Sequence, residues 1–373
     1  DSADPEGGVI KKDPESGEPT GLLLEKANMP VMNVAMKRSL LDNIKVLRAA
    51  SKDYLSKGVT TAQNGQAFLK QIGFLTKASR LGLTPLRLII WPNGIEWLKD
   101  SQQEKPMNLK SQGKYVIGAR KLGIDGSIQG YTGYLSEPYH IPPENEGQGY
   151  RGYTTMEEDN FKDLVKSVHA AGHQIAVHAN GDAAIDLVID AYEEAQKSTF
   201  REDARPIIVH AQMMRPDQID RVKKLDMTPS FFPAHTFFWG DRHYDIFMGP
   251  ERSQRISPSQ SALKADIRFT IHLDTPVLPM IPMRLLWTAV HRQTSGGRIL
   301  GKDERISVMQ ALRAVTIDAA WQVFQEDNRG SIEPGKFADL AVFQEDPLQN
   351  PEGLHEIQVD KTIIGGVTFY EAS

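Results

Sequence analysis

The chain has no cysteine among its 373 residues. Disulfides, thiolate metal ligands and a cysteine nucleophile are therefore excluded. The compartment stays open, because cytoplasmic and periplasmic proteins alike do without cysteine. No run of eighteen apolar residues occurs, so a membrane span is not expected. Neither sign of charge dominates: 43 Lys and Arg face 48 Asp and Glu, for a net charge of -5. That balance gives no reason to invoke nucleic acid or an anionic membrane surface. Hydrophobic residues make up 40% and charged residues 24%, an ordinary globular composition. The expected partner is a small-molecule substrate, and a homo-oligomer is compatible with everything in the sequence.

What the chain has instead is a set of short apolar runs, each ending in a side chain able to bind a metal. Gln174-Ile175-Ala176-Val177-His178 is followed by Pro206-Ile207-Ile208-Val209-His210 and by Arg268-Phe269-Thr270-Ile271-His272-Leu273-Asp274. Each is apolar and β-branched enough to form a buried strand. In a parallel barrel the C-terminal strand ends converge on one mouth. Two imidazoles and a carboxylate meeting there are a partial shell for a divalent transition metal.

Further strands are expected at 58–62, 85–91, 114–124 and 228–232, with helices at 157–171, 182–197 and 216–225. This alternation of strand and helix predicts an α/β fold, a TIM-type (β/α)8 barrel. Seven strands are legible, and the first is expected upstream of the polar start. Residues 1–20 read like the interior of a longer protein, as if an N-terminal part were missing. Residues 25–57 carry a helical pattern with Leu40, Leu41, Ile44 and Leu47 on one face. The predicted organisation is an insertion segment over 1–57, the barrel over 58–325 and part of a small β-sandwich over 326–373. The last includes a hairpin-like pair broken by Gly365-Gly366.

Val-His-Ala-Asn-Gly-Asp-Ala-Ala (177–184), Ile-Val-His-Ala-Gln (208–212), Leu-Asp-Thr-Pro-Val (273–277) and Gly-Ser-Ile-Glu-Pro-Gly-Lys-Phe-Ala-Asp-Leu (330–340) resemble the amidohydrolase superfamily. Asp-Gly-Ser-Ile-Gln-Gly-Tyr-Thr-Gly-Tyr (125–134), Glu-Pro-Tyr (137–139) and Phe-Phe-Trp-Gly-Asp-Arg-His (237–243) are similar to its YtcJ-like branch, which includes N-substituted formamide deformylases.

The resemblance implies a metal-dependent hydrolase of carbon–nitrogen bonds other than peptide bonds. It implies one or two divalent ions, zinc first, held by His178, His210, Lys121 and Asp274, with Lys121 carboxylated to bridge. Metal-bound hydroxide would attack the carbonyl, with Asp274 as general base and His235 polarising the carbonyl oxygen. Tyr131, Trp239, Arg242 and His243 would line the substrate mouth, joined by Tyr134. Each residue has a plainer alternative: His178 and His210 as core histidines, Asp274 as a loop starter, Lys121 as a surface lysine, His235 as packing. His169, His173, His272 and His291 are read as structural. Asn180 and Asp182 are candidates to hold a free nitrogen of His178, although Asp182 equally suits a helix cap.

Two departures stand out. Leu273 occupies a position that is often Ser in this branch. The His-x-His pair of the superfamily's first strand is absent, the first histidine being His140. Either that strand lies upstream, or the protein is a catalytically silent member that binds or regulates.

Overall fold

The structure, a computed structural model, describes residues 3–35, 37–99, 114–144 and 146–372. It opens on an antiparallel hairpin, β1 (Gly8–Lys12) and β2 (Pro19–Glu25), with Gly8 opposite Glu25. The sequence predicted no strand here, because β2 is half exposed and its polar start hides any alternation. Two helices follow, α1 (Met29–Ala35) and α2 (Leu40–Ser56), the second capped by the Ser39 hydroxyl accepting from the Asp42 amide. The expected apolar face of α2 is not buried at its start. Leu40 and Leu41 are exposed, and burial begins at Ser51 and Leu55.

Strand and helix then alternate: β3 (Thr61–Ala67), α3 (Leu69–Arg80), β4 (Arg87–Pro92), α4 (Gly94–Lys99), β5 (Tyr115–Ile117), β6 (Arg120–Gly123), α5 (Glu158–Ala170), β7 (Ile175–Ala179), α6 (Asp182–Ser198), β8 (Ile207–His210), α7 (Pro216–Lys224), β9 (Thr228–Phe231) and α8 (Ala234–Arg242). Short helices α9 (Gly249–Arg252) and α10 (Ser259–Lys264) lead to β10 (Thr270–Ile271). Helices α11 (Pro282–His291), α12 (Val308–Val315) and α13 (Ile317–Gln322) complete this part.

β3, β4 and β5 pair in parallel and in chain order, and so do β6, β7, β8, β9 and β10. A parallel bridge from Asn93, just after β4, to Lys121 on β6 links the two ladders. Sequential parallel pairing with helices between the strands is the winding of an α/β barrel. The outer edges of β3 and β10 have no ladder partner among the described residues. Every residue of β8 is buried, as expected of a strand covered on both faces. Helix α5 buries Phe161, Val165 and Val168 along one stripe.

The C-terminal residues form a three-stranded antiparallel sheet of β11 (Leu340–Phe343), β12 (Val359–Ile364) and β13 (Val367–Glu371). These strands lie within 326–373, the stretch expected to form part of a small β-sandwich. Gly365 and Gly366, at φ 60° and 81°, make the hairpin turn that only such residues form cheaply. The Thr362 hydroxyl donates to the Leu55 carbonyl at 2.6 Å, and Asp339 receives the Arg87 fork at 2.5 and 3.1 Å. No helix among the described residues is long and apolar enough to cross a membrane.

Candidate metal centre

His178 lies on β7 and His210 ends β8, with Ala179 in register beside His210. Their rings meet edge to face, with centroids 4.6 Å apart. Lys121 stands on β6 opposite Ala176, and its side chain is buried, with Nζ 3.3 Å from the Leu122 carbonyl. Burial pushes the Lys121 ammonium down to about 8, against the pull of Asp274 and Asp125. Asp274 also acts electrostatically on His178 and His272. These four strand-end side chains therefore share one region.

The expected strand 268–274 keeps its ladder only at Thr270–Ile271, and Asp274 is exposed beyond it. The backbone at these ends is strained. His210, Ala211 and Asp274 sit at φ 72°, 45° and 53°, in the left-handed region. Such residues cost roughly 1–3 kcal/mol each and cluster where geometry serves function.

His178 Nε2 lies 3.2 Å from the Gly126 carbonyl, 3.1 Å from Asn180 Nδ2 and 3.5 Å from Asp125 Oδ1. Asn180 thus holds His178, as the sequence suggested. Asp182 does not. Its carboxylate accepts from the Ser136 amide and hydroxyl at 2.8 and 2.7 Å and from Arg255 at 3.0 Å. Asp125 was not singled out from the sequence, yet it organises this corner. It accepts main-chain N–H bonds from Tyr134 at 3.0 Å, Asn180 at 3.0 Å and Gly181 at 2.8 Å. Burial pushes its carboxyl up to about 7 while those three bonds oppose the rise. Position 126 has to be glycine, because a Cβ would collide with Thr132 Oγ1 and with Glu25 Oε1.

His272, read as structural, belongs to the same cluster. Its Nε2 is 3.0 Å from His210 Nδ1, and its Nδ1 is 3.0 Å from Ser230 Oγ. The available signal was its even spacing from Thr270 and Asp274, which puts all three on one face of an extended run.

His235 opens α8 and is buried, 6.1 Å from the His210 ring and 5.5 Å from Trp239 between centroids. Its Nδ1 has no hydrogen-bond partner among the described residues. His243 is fully buried, with Nε2 3.1 Å from Gln212 Nε2. It meets no solvent and packs behind His235, at 6.3 Å. Arg242 is exposed and lies within electrostatic reach of Tyr131, whose half-buried ring packs against Tyr139 and Phe247.

The donor chemistry suits a divalent transition metal. Burial holds His178 near 4 and His210 well below its ordinary value. Both imidazoles are thus neutral at pH 7, the form that binds zinc-type ions. Among the described residues no three His, Asp or Glu side chains already stand at ion-binding spacing. Lys121 acts electrostatically on both rings and Asp274 on His178.

Comparison with known proteins agrees with this architecture. The sequence profile of the Amidohydrolase family matches residues 1–370. YtcJ of Bacillus subtilis, whose name places it among the amidohydrolases, is 30% identical over 389 residues, covering 99% of this chain and 69% of YtcJ. An N-substituted formamide deformylase of Arthrobacter pascens is 28% identical over 379 residues, covering 99% of this chain and 68% of that protein. The crystal structure of an uncharacterised metal-dependent hydrolase from Pyrococcus horikoshii superimposes with a TM-score of 0.77 at 25% identity, over 92% of this chain and 68% of that one. The chain belongs to the amidohydrolase family.

Proposed function

We propose that this amidohydrolase-family chain is a metal-dependent hydrolase that cleaves a carbon–nitrogen bond other than a peptide bond, of the amide or formamide type. The observation that carries the reading is the ring contact of His178 and His210 at neighbouring strand ends, beside Lys121 and Asp274. The named activity of the Arthrobacter relative favours formamides as the substrate class.

His178, His210, Asp274 and a carboxylated Lys121 would hold one or two divalent ions, zinc first. Such an ion supplies Lewis acidity, easing the ionisation of water and drawing electron density from the substrate carbonyl. Lys121, depressed to about 8 by burial, keeps a useful fraction of neutral amine at pH 7. A neutral amine is the form that adds carbon dioxide. The exposed Asp274 carboxylate takes the proton of the attacking water and returns it to the leaving amine. His235, neutral and enclosed, donates a ring N–H to the carbonyl oxygen and lowers the cost of charge there. Tyr131, Trp239 and Arg242 frame the group next to the scissile bond, while His243 supports His235 from behind.

The test is a screen of N-substituted formamides, amides and cyclic ureas with protein reconstituted in zinc, manganese or cobalt, following amine release. Turnover that Asp274→Ala lowers by roughly 10²–10⁴-fold, the span of acid–base contributions, supports the reading. Protein that binds metal but turns over nothing would instead be a silent binding or regulatory member. Protein with no bound metal above about pH 7 contradicts the whole reading, because the imidazole ligands must be neutral and are so there.

A further inference from the structure

We infer that His272 is the positioning residue of His210, and that Ser230 and Thr270 act through it to decide which nitrogen of the His210 ring carries the proton. The inference rests on His210 being a metal ligand, as proposed above, and concerns a residue that need not touch metal or substrate.

Ser230 and Thr270 are cross-strand neighbours in the β9–β10 ladder. Thr270 Oγ1 donates to Ser230 Oγ at 2.8 Å. The Ser230 hydroxyl, already accepting, has its own proton free for His272 Nδ1 at 3.0 Å. A neutral imidazole that accepts at Nδ1 carries its proton on Nε2. His272 Nε2–H then donates to His210 Nδ1 at 3.0 Å. His210, accepting at Nδ1, keeps its own proton on Nε2, so that nitrogen presents an N–H and no lone pair.

Ligation through His210 Nε2 requires the opposite order. His210 Nδ1–H would donate to His272 Nε2, His272 Nδ1–H would donate to Ser230 Oγ, and the Ser230 hydroxyl would turn towards Thr270 Oγ1. Each ring and each hydroxyl holds one proton in both orders, so the two states carry the same charge. The relay therefore has two settings, one matching the metal-free ring and one matching the ligated ring.

Both nitrogens of His272 are committed, one to Ser230 and one to His210, which leaves it no donor atom for an ion. The ring is also clamped: Phe232 stacks on it at 5.2 Å and 29° and offers no competing polar group. A partner that fixes the free nitrogen of a ligating histidine typically contributes 10–100-fold to metal affinity.

Two measurements test this. Nitrogen-15 NMR of the histidine rings should find His210 protonated at Nε2 in metal-free protein and at Nδ1 after zinc(II) is added. Chelator competition should find zinc binding weakened about 10–100-fold in His272→Ala with one-to-one stoichiometry kept at the same site. His272→Gln, which places an amide where Nε2 was, should recover most of the loss. Ser230→Ala, which leaves both rings in place, should give a smaller loss and guards against a His272 variant that misfolds. Unchanged affinity in His272→Ala overturns the inference. So does loss of the zinc site in both the Ala and Gln variants, because His272 would then be a ligand. Wild-type protein that binds no zinc defeats the metal reading itself, and a metal-free His210 protonated at Nδ1 would still refute the relay on its own.

Discussion

Replacing Asp125 is the sharpest perturbation of the site's scaffold. Its carboxylate is buried and accepts three main-chain N–H bonds, from Tyr134, Asn180 and Gly181, that tie the loop after β6 to the loop after β7. In Asp125→Ala those three buried donors lose their acceptor, at about 1–3 kcal/mol each. Part of this is recovered, because the carboxyl no longer has to be desolvated. Burial has already pushed it up to about 7. The net loss is on the order of 3–5 kcal/mol, a large share of the 5–15 kcal/mol typical of a folded domain. Asp125→Asn keeps one oxygen for Tyr134 and Gly181 and deprives chiefly Asn180, so it should cost roughly 1–2 kcal/mol. The assay is urea unfolding followed by both circular dichroism and tryptophan fluorescence, with the two probes coinciding. The expected order of midpoints is wild type, then Asn, then Ala. Asp125→Ala within about 1 kcal/mol of wild type would refute the reasoning, since three orphaned buried donors cost more than that.

Acid should destabilise the fold through its buried histidines, before carboxylates of ordinary pKa titrate. His243 is fully enclosed and depressed to about 3, against about 6.5 in the unfolded chain. The unfolded state therefore binds more protons between those values, so the stability is present above pH 6.5 and is lost as pH falls. Between pH 6.5 and 5 this one group removes roughly 2 kcal/mol. His243→Phe should flatten the pH dependence of the urea midpoint by about that amount, and a wild-type midpoint unchanged from pH 7 to 5 contradicts it. In the C-terminal sheet, Arg87→Ala strands a buried Asp339, whose side chain is 3% exposed, at a cost of roughly 3–5 kcal/mol. Limited proteolysis should then cut first within residues 326–373, whereas a double Arg87→Leu, Asp339→Leu variant should resist better.

The parallel strands were legible because burial on both faces forces continuous apolar runs. Those at β4, β7, β8 and β9 fall within two residues of expectation. β3 was displaced from 58–62 to Thr61–Ala67, since Asn64, Gly65 and Gln66 give no apolar signal. The hairpin of β1 and β2 was invisible for the same reason. Histidines at strand ends drew attention to His178 and His210, but the residues that orient them were harder to see. Asp125 acts through main-chain amides fifty-five residues away at Asn180, and no sequence period reports such a contact. A lone histidine in an apolar run such as His272 is usually packing, and its contacts come from Ser230 on β9 and His210 on β8, which no sequence pattern reports. Asp182 had two readings, a contact with His178 or a place at a helix start, and it stands at the start of α6 with its carboxylate bonded to Ser136 and Arg255.

The central claim is that the imidazoles of 178 and 210 bind one ion together. Anomalous diffraction at the zinc edge, from crystals grown with zinc(II), measures this directly. The expected result is a peak about 2.0–2.1 Å from a ring nitrogen of both His178 and His210, with Lys121 or Asp274 adjoining. A peak bonded to neither ring, or to one while the other points away, contradicts it.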